Sequence, residues 1–202
     1  MVSPVRRWPG DRRFTGGNGH HQVLVNRYKY ERSPERAARW GNVLARVLAG
    51  YLTENNRFCA AFDHIIPNPI FVSSEGKRQW DHIGKLLRST ASLLPDTWQI
   101  RDAEYLIRKT GDTTPMIEAT TWPKREEAAK ELRKTLELVT PVRVKRTRVL
   151  VFDDVFTRGS TINEVAGLLR RAGALQVATI TLARQPWRQQ SSVPHDEDLI
   201  PF

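Results

Sequence analysis

The stretch Val149-Leu150-Val151-Phe152-Asp153-Asp154-Val155-Phe156-Thr157-Arg158-Gly159-Ser160-Thr161 restricts this chain more than any other. Its apolar start, Val149 to Phe152, is partly β-branched and too short for a helix, so it predicts a buried strand. Asp153 and Asp154 are expected to end that strand, and a loop of hydroxyl residues with one glycine follows. From Ile162 to Ala172 the apolar residues Val165, Leu168, Leu169 and Ala172 recur at helical spacing. The loop therefore joins the carboxyl end of a strand to the amino end of a helix. Open α/β sheets bind ligands at that position, where free backbone N–H groups and the helix dipole favour an anion.

Each residue type in the loop suits a chemical task. Gly159 allows a tight turn around a bound group. Thr157, Ser160 and Thr161 offer hydroxyl donors to phosphate oxygens beside a run of main-chain amides. Asp153 and Asp154 repel phosphate but accept hydrogen bonds from a sugar diol and, less directly, serve a metal ion. A carboxylate pair just ahead of a phosphate cradle describes a site for a phosphorylated sugar.

On these residues the chain resembles the type I phosphoribosyltransferases, whose phosphoribosyl diphosphate (PRPP) motif joins an apolar strand, two acidic residues and a Thr-x-Gly-x-Thr-like loop. It is most similar to their ComF-like, competence-related branch. Arg158 stands where a second threonine is common and would contribute its backbone amide. Members of that branch often carry a cysteine zinc module near the amino end, and this chain lacks it. The resemblance implies the family's fold, an α/β domain with a mainly parallel twisted sheet flanked by helices. It also implies that PRPP is bound with Mg²⁺, that Val155 to Thr161 hold the 5′-phosphate, and that Asp153 and Asp154 hold the ribose hydroxyls.

Length and charge agree with such a protein. The 202 residues suffice for one substantial core with appended tails, and 40% hydrophobic with 27% charged residues is the balance of a globular domain. A formal charge of +10 suits polyanionic partners such as PRPP, pyrophosphate or nucleic acid. Cys59 is the one cysteine, which excludes an intrachain disulfide and a cysteine-rich zinc site and fits a reducing cytoplasm. No apolar run approaches membrane-spanning length, and no Gly-x4-Gly-Lys-Ser/Thr sequence supports a P-loop ATPase. Residues 1–20 read as a flexible basic arm, with Arg6, Arg7, Arg12 and Arg13 available to nucleic acid. Residues 21–185 form the expected domain, and 186–202 a tail with the acidic run Asp196-Glu197-Asp198.

Along the domain, Gln22 to Tyr30 alternates loosely and suggests a strand or an ordered lead-in. Ser33-Pro34-Glu35 starts a helix, with serine as N-cap and proline at its first position. Its expected apolar face is Ala37, Trp40, Leu44, Val47, Leu48 and Tyr51. A strand is expected over Ala60 to Ile66, followed by a helix burying Trp80, Ile83, Leu86 and Leu87. Short strands are expected at Trp98 to Ile100 and Glu104 to Ile107, and a helix from Pro123 to Leu138. Val142 and Val144 suggest an edge strand, and Val177 to Leu182 a last core strand after a helix stop at Gly173.

The resemblance assigns further residues. The loop after the first core strand, Pro69, Ile70, Phe71, Val72, Ser73 and Ser74, would face pyrophosphate, with Lys77 and Arg78 at the opening of the next helix. Arg108, Thr114 and Arg125 would belong to a lid that brings cations to the leaving group, although the family's glutamine has no counterpart near Met116. His64 and His82 are not in metal-ligand spacing and read as non-catalytic. The expected activity is transfer of a phosphoribosyl group to a nitrogen acceptor with loss of pyrophosphate. The competing class is a binding protein that senses PRPP or holds single-stranded nucleic acid. A homo-oligomer is compatible with the sequence, which does not identify the acceptor.

Overall fold

The computed structural model describes residues 20–31, 33–75, 80–102, 105–113, 121–157 and 159–184. In chain order these form α1 (His20–Tyr30), α2 (Pro34–Glu54), α3 (Asn56–Cys59), β1 (His64–Pro67), α4 (His82–Ala91) and β2 (Ile107–Lys109). There follow α5 (Trp122–Thr135), β3 (Leu136–Leu138), α6 (Pro141–Val144), β4 (Arg148–Phe156), α7 (Ser160–Arg171) and β5 (Gln176–Arg184). The fold is mixed α/β, with a parallel sheet flanked by helices. The basic arm before His20 and the tail from 186 onward lie outside the described residues.

β4 is the central strand. It pairs in parallel with β1 on one side and β5 on the other. Beyond β1, the expected strand at Trp98 to Ile100 reduces to one parallel bridge between Ile65 and Ile100. Side chains alternate across the pleat. Leu150 and Phe152 of β4 pack with Leu44, Leu48 and Leu52 of α2 and with Leu86 and Leu87 of α4. Val149 and Val151 face the other way, against Val165 and Leu169 of α7 and Leu132 of α5. A two-stranded antiparallel ladder, β2 with β3, lies apart from the main sheet and joins the second cluster through Ile107 and Leu136.

Several boundaries follow the expected chemistry. Ser33 caps α2 with its side chain on the Arg36 amide, and Pro34 occupies the first turn. Gly173 follows the C-cap of α7 at φ 96°, a left-handed conformation that glycine adopts without strain. Other elements differ from expectation. Gln22 to Tyr30 belongs to a helix, because Leu24, Val25 and Tyr28 bury together at helical spacing against the first cluster. The buried face of α2 is Ala37, Gly41, Leu44, Ala45, Leu48, Ala49 and Leu52, which leaves Val47 and Tyr51 exposed.

The first core strand begins at His64 rather than Ala60, since α3 and a turn occupy the residues before it. The helix expected to reach Leu138 stops at Thr135, and Leu136 to Leu138 turns into a strand opposite β2. Val142 and Val144 lie in a short helix with Pro141 at its start; Val144 is fully buried and Val142 is 87% exposed. β4 extends through both carboxylates to Phe156, so Val155 and Phe156 are strand residues paired with Ala183 and Arg184. Among the described residues, no helix is long and apolar enough to cross a membrane.

The packing predicts an unequal response to truncation. Phe152→Ala, at a fully buried site, should lower stability by about 3–5 kcal/mol. Val142→Ala should stay within about 0.5 kcal/mol of the parent. Urea unfolding of both variants checks this, and equal losses would contradict the packing described.

Candidate functional site

The pleat of β4 continues through its carboxyl end and sends the two adjacent carboxylates to different surroundings. Asp154 follows Leu150 and Phe152 toward the α1 and α4 layer and is only 4% exposed. There Lys29 Nζ of α1 donates to Asp154 Oδ2 at 2.8 Å, and His82 Nε2 of α4 lies 3.0 Å from the same oxygen. The other oxygen, Oδ1, accepts the Val155 N–H at 2.7 Å. An ionised carboxylate only accepts, so His82 must carry its proton on Nε2 in this contact.

The layer around Asp154 is tied together in turn. The Tyr28 hydroxyl donates to the His82 carbonyl at 3.0 Å. The Tyr28 ring stands edge-on to Trp80, with centroids 5.1 Å apart, and Trp80 stands similarly to His82 at 5.8 Å. Burial alone would raise the Asp154 carboxyl. The His82 hydrogen bond and the Lys29 charge reverse that and hold it below the usual carboxylate range.

Asp153 shares the face of Val149, Val151 and α7, and it is half-buried. Its neighbour across the sheet is Asn68, which continues β1 one residue past the Pro67–Phe152 pair. The Asn68 N–H donates to the Phe152 carbonyl at 2.7 Å, and its side chain lies beside Asp153, where it favours the ionised carboxylate. The Asp154 N–H donates to Asp153 Oδ1 at 3.0 Å. Burial, followed by the nearby Asp154 charge, pushes the Asp153 carboxyl up to about 7, against weaker opposing effects of the Asp154 amide, Lys29 and Asn68.

Beyond β4 the backbone turns at Gly159, with φ 73°. A Cβ there would meet the Phe156 ring at 2.8 Å, so both conformation and space require glycine. No side chain caps α7 at Gly159, and its first turn holds no acidic residue. The leading amides of α7 therefore have no intrahelical acceptor, and the positive end of the helix dipole opens beside the Asp153 face. Thr157, Ser160 and Thr161 border this turn, whereas Arg158 lies outside the described residues.

The remaining expected residues are distributed unevenly. Pro69 is buried, Ile70 packs half-buried on the first cluster, and Phe71, Val72, Ser73 and Ser74 continue without regular structure. Lys77, Arg78, Thr114 and Met116 lie outside the described residues. Arg108 sits opposite Glu137 in the β2–β3 ladder and donates to its Oε2 from Nε and Nη2, at 3.1 and 3.0 Å. Arg125 is exposed in the first turn of α5. The site also contains residues that sequence reasoning did not select: Lys29, His82 and Asn68. Lys29 and His82 lie 125 and 72 positions from Asp154, and no local pattern marks such pairings. Asn68, a polar residue placed at the end of a buried strand, carried the one readable signal.

Among the described residues no group of three or more His, Cys, Asp or Glu side chains is arranged to hold a metal ion. No protein-family model and no curated protein matches the sequence. Solved structures do. One is a phosphoribosylpyrophosphate synthetase from Mycobacterium smegmatis, at 17% identity and TM-score 0.40, covering 69% of this chain and 33% of that one. An allosteric regulatory enzyme of purine biosynthesis gives 19% and 0.46, with 78% of this chain and 30% of that one covered. A purine phosphoribosyltransferase from Pyrococcus horikoshii gives 19% and 0.40, with 74% and 77% covered. The chain thus spans about a third of the length of the first two.

The two carboxylates should be separable by pH. The folded-state pKa of Asp153 is raised, so its contribution to stability is full below about 4 and is lost as pH rises through about 7. Asp154 is depressed, and its contribution is lost only as pH falls below the ordinary carboxylate range. Asp153→Asn cannot ionise, so thermal unfolding should show it gaining on the parent between pH 5 and pH 8. A difference that stays constant over that range would refute the environment described for Asp153.

Proposed function

We propose that this chain is a phosphoribosyltransferase that uses PRPP. The observation that carries the reading is one shared face. Asp153, a half-buried carboxylate, and the uncapped amino end of α7 beyond Gly159 border the same side of β4. A carboxylate beside an anion-binding helix end suits a molecule bearing both hydroxyls and phosphate. The narrower ComF-like assignment rests on the motif and its flanking sequence.

In this proposal the amides of Gly159 to Thr161, with the hydroxyls of Thr157, Ser160 and Thr161, hold the 5′-phosphate. Asp153 accepts from the ribose and stabilises positive charge on the ring as the bond from the anomeric carbon to diphosphate breaks. The electron pair leaves with pyrophosphate, a nitrogen acceptor forms the new bond, and its N–H proton is released. Asp154 contributes from behind, fixed by Lys29 and His82. Arg108 and Arg125 are the cations proposed for the leaving diphosphate, and Arg108 would have to exchange Glu137 for it.

Mg²⁺ fits as an ion carried largely by the substrate. Without a cluster of ligands among the described residues, Asp153 is the protein carboxylate that would help to hold it. When bound it would neutralise charge on the departing pyrophosphate. A PRPP-binding protein without turnover is the second reading. The observation favouring it is that Lys29 and His82 occupy Asp154, leaving Asp153 as the one carboxylate beside the α7 face to stabilise a cationic sugar.

Pyrophosphate release from PRPP and Mg²⁺, screened across bases, amines and oligonucleotides, separates these readings. For an enzyme, Asp153→Asn should cut turnover on the order of a hundredfold or more while PRPP binding by calorimetry falls less. Tight PRPP binding with no release under any condition would establish the binding protein instead.

A second measurement addresses the phosphate cradle. Ribose 5-phosphate should raise the melting temperature of the parent, and folded Gly159→Val should lose the shift. A shift retained in that variant would place the phosphate elsewhere.

A further inference from the structure

Both oxygens of Asp154 are occupied by the protein. Oδ2 lies within hydrogen-bond distance of Lys29 Nζ and His82 Nε2, and Oδ1 takes the Val155 amide. The carboxylate is 4% exposed and belongs to the α1 and α4 side of the sheet, opposite α7. A ligand phosphate at the amino end of α7 lies over the other face. An acceptor for the sugar hydroxyls is therefore needed on that other face, beside Asp153.

Asn68 meets this need. Its register places it next to Asp153 on that face, because Ile66 pairs with Val151 and Pro67 with Phe152 one residue earlier. Asn68 is 5% exposed, and its side chain lies beside the Asp153 carboxylate on the same face. Its Oδ1 atom is buried and has no hydrogen-bond partner. An unpaired buried acceptor is destabilising, and native chains keep one where a ligand or water completes it. Phosphate cannot complete it, since an amide oxygen beside a carboxylate repels an anion. A hydroxyl can, as the donor both groups require.

We propose that the sugar diol is read by Asp153 and Asn68 across the β4–β1 register, with Asp154 withdrawn from the ligand as a buried anchor. This rests on the phosphoribosyl reading and assigns the specificity of that site. Asn68 holds Asp153 through its amide N–H and accepts one hydroxyl of the diol on Oδ1. Asp153 accepts the other.

The test is a cycle of ligands and variants on the full chain, read by calorimetry. The ligands are ribose 5-phosphate, 2-deoxyribose 5-phosphate and 3-deoxyribose 5-phosphate. The parent should prefer ribose 5-phosphate over the analogue lacking the hydroxyl seen by Asn68 by on the order of tenfold. Asn68→Ala should lose more affinity for ribose 5-phosphate than for that analogue, so the preference collapses. Asn68→Ser, which keeps an acceptor oxygen, should retain part of the preference and serves if the alanine variant does not fold. An equal loss for all three sugars, or a preference untouched by either variant, would overturn the inference while leaving the phosphoribosyl reading intact. Failure of the parent to bind any of the three would overturn both.

Discussion

A carboxylate with 4% of its surface exposed stays ionised only if the protein replaces the water it has lost, and Asp154 depends on Lys29 and His82 for this. Desolvation of such groups costs several kcal/mol each, and their attraction offsets it only when geometry and further hydrogen bonds are good. Here the Val155 amide and the Tyr28–His82 contact complete the arrangement. Loss of one partner would leave a buried charge uncompensated, a change worth about 3–5 kcal/mol in comparable pairs. The cluster ties together α1, α4 and the carboxyl end of β4, three elements distant in sequence. α1 in particular is a mostly polar helix that docks through Leu24, Val25, Tyr28 and Lys29, with Arg27 over the Trp40 ring of α2.

The same strand geometry explains why two adjacent aspartates do not act as a matched pair. Alternation along β4 gives Asp154 to a layer that supplies cations and Asp153 to a layer that supplies an amide and a helix end. Their proton affinities then diverge. One is held ionised, while the other is pushed up by burial and by the charge of its neighbour. A ligand that brings positive charge or hydroxyl donors to Asp153 relieves that pressure. In the proposed site an anionic phosphate would go instead to the amides of α7. Separation of the two proposed tasks on one face would follow from pleat and helix placement.

Much of this was legible in the sequence where the determinants are local. Strand, turn and helix around Gly159 follow from a run of apolar residues, one glycine and an amphipathic repeat within two dozen positions. The start of α2 follows from Ser33 and Pro34, since capping is decided within one turn. The failures share a different cause. α1 was ambiguous because Val23 and Val25 mimic strand alternation, and only tertiary contacts through Val25 and Tyr28 select the helix. Leu136 and Leu138 leave the helical register because β2 offers them a partner strand. The edge strand expected at Val142 and Val144 gives way to a short helix because Pro141 supplies a helix start there. Lys29 and His82 meet Asp154 only after the chain has folded, so nothing in their flanking residues announces them, whereas Asn68 is marked by its place at the end of a buried strand.

The conformation of Gly159 in the turn after β4 is constrained by the protein's own side chains. The Phe156 ring lies where a side chain at position 159 would project, and Arg184 at the end of β5 stacks over the same ring at 5.8 Å. Gly159 is thereby held in the left-handed region, and its carbonyl accepts the Asn163 amide at 2.8 Å to start α7. Had a serine or aspartate capped this helix, its oxygen would have satisfied the amides that a phosphate needs. Glycine leaves them free while still permitting the turn. The basic residues Arg170 and Arg171 in the last turn match the opposite end of the dipole, so α7 is oriented consistently along its length. In the proposed site an anion would meet the amides at the start of α7 without a competing side-chain cap.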